Sequence, residues 1–498
     1  MTPPLPHLEL VRARAKSDPN GACVEDEHRA LTNAEFADAV AVMAQRLRHA
    51  GVAAGDTVGV LLPNCVDLVV TMFGAWTLRA ALTPLNPALT EDEALYQLQD
   101  STSVVLVGDR DVAALAARAG AAHLLAGPDS PRPDSPAVPG LNTADPCTAE
   151  DFALIIYTSG TTGRPKGVLL DHANLAAMTA SIVERLHLGA DDGSLLVLPL
   201  FHVNGLVVGV LSPLRAGGRV LISPRFAVDT FWHLVETRRP TYFSAVPTIY
   251  ALLDSRTDRE VDSSSLRFAL CGAAPMPADQ ITLFERRFGV PLVEGYGLSE
   301  GTVASTLNPL DGVRKPGTVG LPLPGQQVAI RSRQGRPAAA GERGEVVIRG
   351  ANVMRGYLGQ PEATAATIRD GWLHTGDVGY LDGDGYLVLV DRIKDMIIRG
   401  GENVYPQEIE AVLYRHPAVV EAAVIGQPDA VMGEVPVAFV ALRPGSVVDP
   451  EEFQALCRSS LAKYKQPTAI RILPSLPKNA VGKIAKRALR DQAVPAAT

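Results

Sequence analysis

Residues 157–168 read YTSGTTGRPKGV, with three glycines, four Ser/Thr hydroxyls, a proline and a lysine in twelve positions. The apolar run DFALII precedes this stretch and VLL follows it, so the pattern predicts a loop pinned between two strands. Gly160 and Gly163 permit positive φ and close backbone approach. With the hydroxyls of Thr158, Ser159, Thr161 and Thr162 and the ammonium of Lys166, such a loop can cradle a polyphosphate. It is not the GxxxxGK[ST] loop, in which a lysine directly follows glycine and a helix begins at once. Here Arg164 and Pro165 intervene and the chain continues as a strand. No helix N-terminus then lies under the phosphates.

A chain of 498 residues exceeds one hydrophobic core and implies at least two domains. Its net charge of -8 argues against nucleic acid as a main partner. Five scattered cysteines without metal-type spacing read as reduced thiols of a cytosolic protein. No signal pattern opens the sequence, and LLVLPLFHVNGLVVGVL is broken by Pro199, His202 and Asn204. It reads as a buried strand leading into a helix rather than a membrane span. The expected compartment is the cytoplasm.

Helical spacing runs from Leu31 to Leu47 with Thr32 or Asn33 as cap. A strand at DTVGVLL, a helix from Cys65 and a proline-rich connection at 127–146 come next. Past the loop, LLVL, GRVLI, TYFSAV, RFALC and VPLVEGYG alternate with helical patterns, which implies α/β layers with largely parallel strands. Ligands gather at the carboxyl ends of such strands. From about residue 392 the texture becomes compact α+β. We therefore expect a large layered α/β domain over 1–391 and a small α+β domain over 392–498. DGDG, 382–385, reads as a tight turn.

Six motifs occur in one order: the loop, GAAP (272–275), EGYGLSE (294–300), WLHTGDVG (372–379), DRIKDMIIRGGENVYPQEIE (391–410) and the Gly-Lys of NAVGKIAKR. Together they resemble the adenylate-forming superfamily, and within it acyl-CoA synthetases of the fatty-acid or 4-coumarate ligase type, over nearly the whole chain. The resemblance implies attack of a carboxylate on the α-phosphate of ATP, then transfer of the acyl group to coenzyme A. Both partners of the first step are anions, so catalysis there is mainly positioning and charge neutralisation. Lys166 would hold the β- and γ-phosphates, and Glu300 would offer a carboxylate to Mg²⁺. Gly272, Ala273, Ala274, Gly295, Tyr296 and Gly297 would lie against adenine, with Tyr296 as a stacking face, and Glu294 and Ser299 would also belong to the nucleotide site. Asp377 and Arg392 would meet the ribose. Lys483 would enter from the small domain to contact the α-phosphate and carboxylate. The small domain would swing at Lys394, in a hinge near 392–395, and present Gly400 and Gly401 as a channel for pantetheine. Arg399, Lys463 and Lys465 would then face CoA phosphates or solvent.

The resemblance places the acid pocket at His202, Asn204, Gly205 and Val208, with Val246 and Cys271 nearby. The segment lacks the aspartate of amino-acid-activating domains, and Gly295 stands where malonate-type synthetases carry arginine. A second carboxylate would be buried without a partner, at a high cost. A monocarboxylate with an apolar tail, fatty or aryl, is the expected acid. Rival readings are an acyl-AMP ligase that loads a carrier protein, a luciferase-like oxygenase and a catalytically dead nucleotide-binding module. A homodimer is compatible with the sequence. Two departures from the family pattern stand out: Ser299 in place of threonine, and Asp171 in place of a small hydroxyl residue, where it can still cap a helix.

Overall fold

The computed structural model describes residues 7–126, 147–158, 164–274, 276–332, 334–429, 431–443, 445–478 and 484–493. The connection at 127–146, loop positions Ser159, Gly160, Thr161, Thr162 and Gly163, and the segment holding Gly482 and Lys483 lie outside the described residues. Two compact units emerge: Met1–Val328 with Ile348–His374, and Ala329–Val347 with Thr375–Thr498.

In the first unit the predicted helix spans Asn33–His49, and Thr32 is its cap. The Thr32 hydroxyl accepts from Glu35 N, and the Glu35 carboxylate accepts from Thr32 N. This reciprocal pairing satisfies two donors that a bare helix start would leave open. A nine-stranded sheet follows the spatial order Leu321–Pro322, Thr306–Leu307, Leu292–Tyr296, Phe268–Cys271, Tyr242–Ala245, Gly193–Leu196, Arg219–Ile222, Ala22–Glu25 and Ala30–Thr32. The six strands from Leu292–Tyr296 through Ala22–Glu25 are parallel. Their near-continuous apolar runs suit strands covered on both faces.

The second sheet has seven strands, in the order Gly356–Tyr357, Lys166–Asp171, Phe152–Thr158, Ala81–Pro84, Thr57–Leu61, Ser103–Gly108 and Ala122–Leu125. Phe152–Thr158 and Lys166–Asp171 pair antiparallel, with Thr158 opposite Lys166. The strand–loop–strand reading therefore holds on both sides of the loop. One apolar cluster takes in strand residues of both sheets (Val58, Ile156, Leu196, Val220) and helix residues Phe36, Phe73, Trp76 and Leu175. Trp76 is fully buried and gives its indole N–H to Ala153 O at 2.8 Å, so its one polar atom is satisfied.

The apolar run after Leu196 departs from expectation. Instead of an ordinary helix, Asn204–Leu211 forms a π-helix, a rare geometry met mostly at functional sites. Its displaced carbonyls find side chains: Val208 O accepts the Tyr242 hydroxyl at 2.9 Å, and Val207 O accepts Ser212 Oγ at 2.8 Å. No helix among the described residues is long and apolar enough to cross a membrane.

In the second unit, Val419–Asp429 and Gly433–Leu442 form a long antiparallel pair, with Ala469–Leu473 parallel to the latter. Side chains alternate between faces, as the strand period requires. Ala422, Val424, Ala438 and Val440 pack with helices Pro406–Leu413 and Pro450–Ser460. Ala423, Ile425, Val437 and Phe439 pack with Leu489. The DGDG segment is a turn in which Asp382 Oδ1 accepts from Asp384 N and Tyr386 N, both at 2.9 Å.

Candidate active site

Four neighbouring parallel strands end side by side and deliver most of the predicted positions of the first unit. Gly193–Leu196 leads toward His202 and Asn204, and Tyr242–Ala245 leads to Val246. Phe268–Cys271 ends on Cys271 and opens the turn with Gly272, Ala273 and Ala274, while Leu292–Tyr296 carries Glu294, Gly295 and Tyr296. Carboxyl ends of parallel strands are where this architecture leaves space for ligands. Val208 is tied to the same group through the Tyr242 hydroxyl.

Local packing explains several of these residue types. A Cβ on Gly205 would lie 2.5 Å from Pro199 O, so the backbone of the π-helix rests directly on the preceding loop. A Cβ on Gly297 would lie 2.1 Å from Val303 O and 2.6 Å from Ala304 Cα. Val303 itself has φ 106°, a costly conformation for a β-branched residue. Ala273 has φ 72°, and it sits in the turn that begins at Gly272. Glu294 is buried within Leu292–Tyr296. Burial pushes the Glu294 carboxyl up to about 8. Burial, and then the neighbouring Glu294, raise the Cys271 thiol, its register partner across the strands.

Lys166, Ser299 and Glu300 have their own geometry. Ser299 and Glu300 form a short 3₁₀ turn. The Tyr357 hydroxyl donates to Glu300 Oε1 at 2.9 Å. The Lys166 ammonium lies 4.9 Å from the centre of the Tyr357 ring, within cation–π range. Lys166 and Glu300 are thus brought to one side chain, and no ion pair joins them directly. Thr158 stands across the hairpin from Lys166.

In the second unit Asp377 is buried and pairs with Arg392 Nε at 2.9 Å, the two facing each other across antiparallel strands. The neighbouring segment is rich in charge. The Asp391 carboxylate accepts from Arg392 N and Gln407 N, and burial raises it to about 6. Burial, then Arg392, lowers the Lys394 ammonium. Asp395 pairs with Arg490 at 2.7 Å, and Glu410 pairs with Lys486 at 2.8 Å. Gly400 and Gly401 make the turn between Ile397–Arg399 and Glu402–Val404 with φ 57° and 86°. A Cβ on Gly401 would meet nothing within 4 Å. Arg399 gives Nη1 to Tyr464 O and Gln466 O, and Lys465 pairs with Glu408. Lys463 lies exposed beside them.

Residues 11–358 match the model of the AMP-binding enzyme family, and residues 408–483 match the AMP-binding enzyme C-terminal domain. The chain belongs to the AMP-binding enzyme family. It is 41% identical over 487 residues to a feruloyl-CoA synthase of Amycolatopsis sp, covering 96% of this chain and 97% of that protein. It is 38% identical over 480 residues to an oxalate–CoA ligase of Arabidopsis thaliana, with 92% of each chain covered. Among solved structures, ATP-bound MatB from Rhodopseudomonas palustris superimposes with a TM-score of 0.89 at 32% identity, covering 98% of this chain and 99% of that one. O-succinylbenzoate coenzyme A synthetase from Bacillus subtilis, in complex with ATP and magnesium ion, gives 0.85 at 32% identity, again with 98% and 99% covered. These findings bear out the adenylate-forming resemblance and the large α/β plus C-terminal domain architecture. They make the chain an AMP-forming acid–thiol ligase of the acyl-CoA synthetase kind.

As an AMP-binding enzyme, the chain holds one site contact that its motifs do not announce. Tyr357 belongs to the unremarkable stretch RGYLGQ, yet it touches both Lys166 and Glu300. Its only flag in the sequence is a glycine–tyrosine pair ahead of the PE of the next helix, and nothing there points to residues far away in the chain.

Proposed function

We propose that the chain joins an apolar monocarboxylic acid to coenzyme A at the expense of ATP, through an acyl-adenylate. The observation that carries the first step is the convergence of Lys166 and Glu300 on Tyr357, with the loop and the strand ends in the same unit. Lys166 binds the terminal phosphates and offsets their charge. Tyr296 and the 272–274 turn receive adenine, and Asp377 orients the ribose with Arg392. A magnesium ion fits the donor set. Among the described residues no group of three or more His, Cys, Asp or Glu side chains gathers as a metal cage, and Glu300 offers a lone carboxylate. Mg²⁺ is commonly bound this way, by one or two carboxylates plus substrate phosphates and water. When bound, the ion would neutralise phosphate charge as it develops.

For the second step we propose that the body from 392 onward turns at Lys394. Lys483 acts in adenylation, and the Gly400–Gly401 turn admits pantetheine. The room beside Gly401 supports this reading. The acid pocket is assigned to His202, Asn204, Gly205, Val208, Val246 and Cys271. No Arg or Lys occurs in LFHVNGLVVGV or SAVPT, so a second carboxylate would lack a cationic partner. Each buried methylene of a tail gains about 0.8 kcal/mol. Octanoate or cinnamate should therefore exceed acetate, malonate, oxalate and glycine in kcat/KM by roughly tenfold or more. Val208→Phe should shift the preference toward shorter acids. A chain-length series on both enzymes tests the assignment, and a lead for oxalate or malonate in the wild type would overturn it.

A further inference from the structure

We propose that Tyr357 is a positioning residue of the phosphate site, an aromatic spacer that holds the Glu300 carboxylate by its hydroxyl and the Lys166 ammonium by its ring, keeping these opposite charges apart and aimed at the nucleotide. The proposal rests on the adenylating function above and adds a residue to it.

The contacts to the two charges are the O–H···Oε1 bond of 2.9 Å and the ammonium 4.9 Å from the ring centre. A lysine and a glutamate that share one neighbour would ordinarily collapse into an ion pair. Such a pair would spend the charge needed for phosphate on one side and for magnesium on the other. Each group here is engaged by a different part of the same phenol. Hydrogen bonding to a carboxylate is worth more than a neutral bond, and an ammonium over a ring face gains a further increment. Burial, and then the nearby Glu300 charge, raise the tyrosine hydroxyl above its usual range.

A spacer must itself be fixed, and this one is held from several directions. Gly356 and Tyr357 pair antiparallel with Leu169 and Val168, and Leu358 N donates to Gly167 O at 2.8 Å. The two-residue strand therefore docks on the strand that Lys166 begins. Tyr357 N donates to Thr364 Oγ1 at 2.9 Å. Just upstream, Arg355 pairs with the fully buried Asp171, the residue that departs from the family pattern. Asp171 also caps helix His172–Leu186 by accepting from Asn174 N at 2.8 Å. The same segment grips the backbone around Glu300: Met354 N donates to Glu300 O at 2.8 Å, and Asn352 Nδ2 to Gly301 O at 3.0 Å. Residues 352–357 thus hold the Glu300 turn by its main chain and the Glu300 carboxylate by its side chain.

The test is calorimetric titration of ATP, with and without Mg²⁺, into wild type, Tyr357→Phe and Tyr357→Leu, with thermal unfolding of each. Tyr357→Phe keeps the ring and loses the hydroxyl. It should weaken Mg²⁺·ATP binding by roughly tenfold, the value of one hydrogen bond to a charge, and leave Mg²⁺-free ATP binding within about twofold. Tyr357→Leu loses both contacts and should weaken binding under both conditions. Should the leucine variant fail to fold, the phenylalanine variant alone decides. Equal loss with and without Mg²⁺ in Tyr357→Phe, or no loss, overturns the spacer role while leaving the adenylation reading intact. Absence of ATP binding by the wild type would overturn both.

Discussion

Gly297 and Gly401 are the same residue in two parts of one enzyme, and they are glycine for different reasons. Gly297 is packed: a Cβ would enter the Val303 carbonyl at 2.1 Å. Gly401 is open: it has φ 86° and empty space where its side chain would be. Around Gly297 the chain follows strand ends backed by an apolar cluster on each face of the sheet. Around Gly401 the chain is a turn between two short strands whose Ile397 and Val404 join an apolar cluster, beside a segment that also carries ion pairs. Damage to the first region should reach the fold, and damage to the second should reach one reaction step.

Lys483 offers the largest effect. Lys483→Ala should lose pyrophosphate exchange by at least about a hundredfold, the scale of a lost charge-stabilising donor. It should still turn supplied acyl-AMP and CoA into thioester, with unchanged thermal unfolding. Equal loss in both half-reactions would remove the functional distinction between the regions. Next comes Gly401→Leu, expected to cut thioester formation by roughly tenfold or more through blockage of the pantetheine route. Acyl-AMP should accumulate, and the stability cost should stay near the ~1 kcal/mol of a strained turn. Full thioester output would place the channel elsewhere. By contrast, Gly297→Ala should lower stability by about 3 kcal/mol, because backbone must move to admit the methyl. An unchanged unfolding midpoint in urea would break the contrast from the other side.

The difference between the two regions also governs what the sequence reveals. The paired strands Phe152–Thr158 and Lys166–Asp171 were legible because two apolar runs flank a stretch rich in glycine and hydroxyls. The strands ending at Cys271 and Tyr296 were legible because buried parallel strands are short and almost wholly apolar. Tyr357 was not, since its partner Glu300 is 57 positions away and only strand docking brings them together. The π-helix at Asn204–Leu211 was missed for a related reason. Its apolar pattern fits an ordinary helix, and the Tyr242 hydroxyl that Val208 O accepts comes from a strand 34 positions away. The charges at Arg399 and Lys465 looked free in sequence, but Tyr464, Gln466 and Glu408 engage them.

The smallest predicted effect concerns Glu294. Its carboxyl keeps its proton to about 8 in the folded chain against an ordinary 4.5. The unfolded chain ionises first, so wild-type stability should fall as pH rises between these values and level off above. Glu294→Gln cannot ionise and should lack that fall. The difference in unfolding temperature, variant minus wild type, should therefore grow with pH across the window. A constant difference would mean that the carboxyl is ionised in the folded state.

The most direct test of the account is the stoichiometry of the complete reaction. Purified protein is given ATP, Mg²⁺, CoA and octanoate or cinnamate, and nucleotides, pyrophosphate and thioester are quantified together. The account predicts one AMP and one pyrophosphate for each acyl-CoA formed, with none in the absence of the acid. Formation of ADP, or release of AMP and pyrophosphate without any CoA thioester, would contradict it.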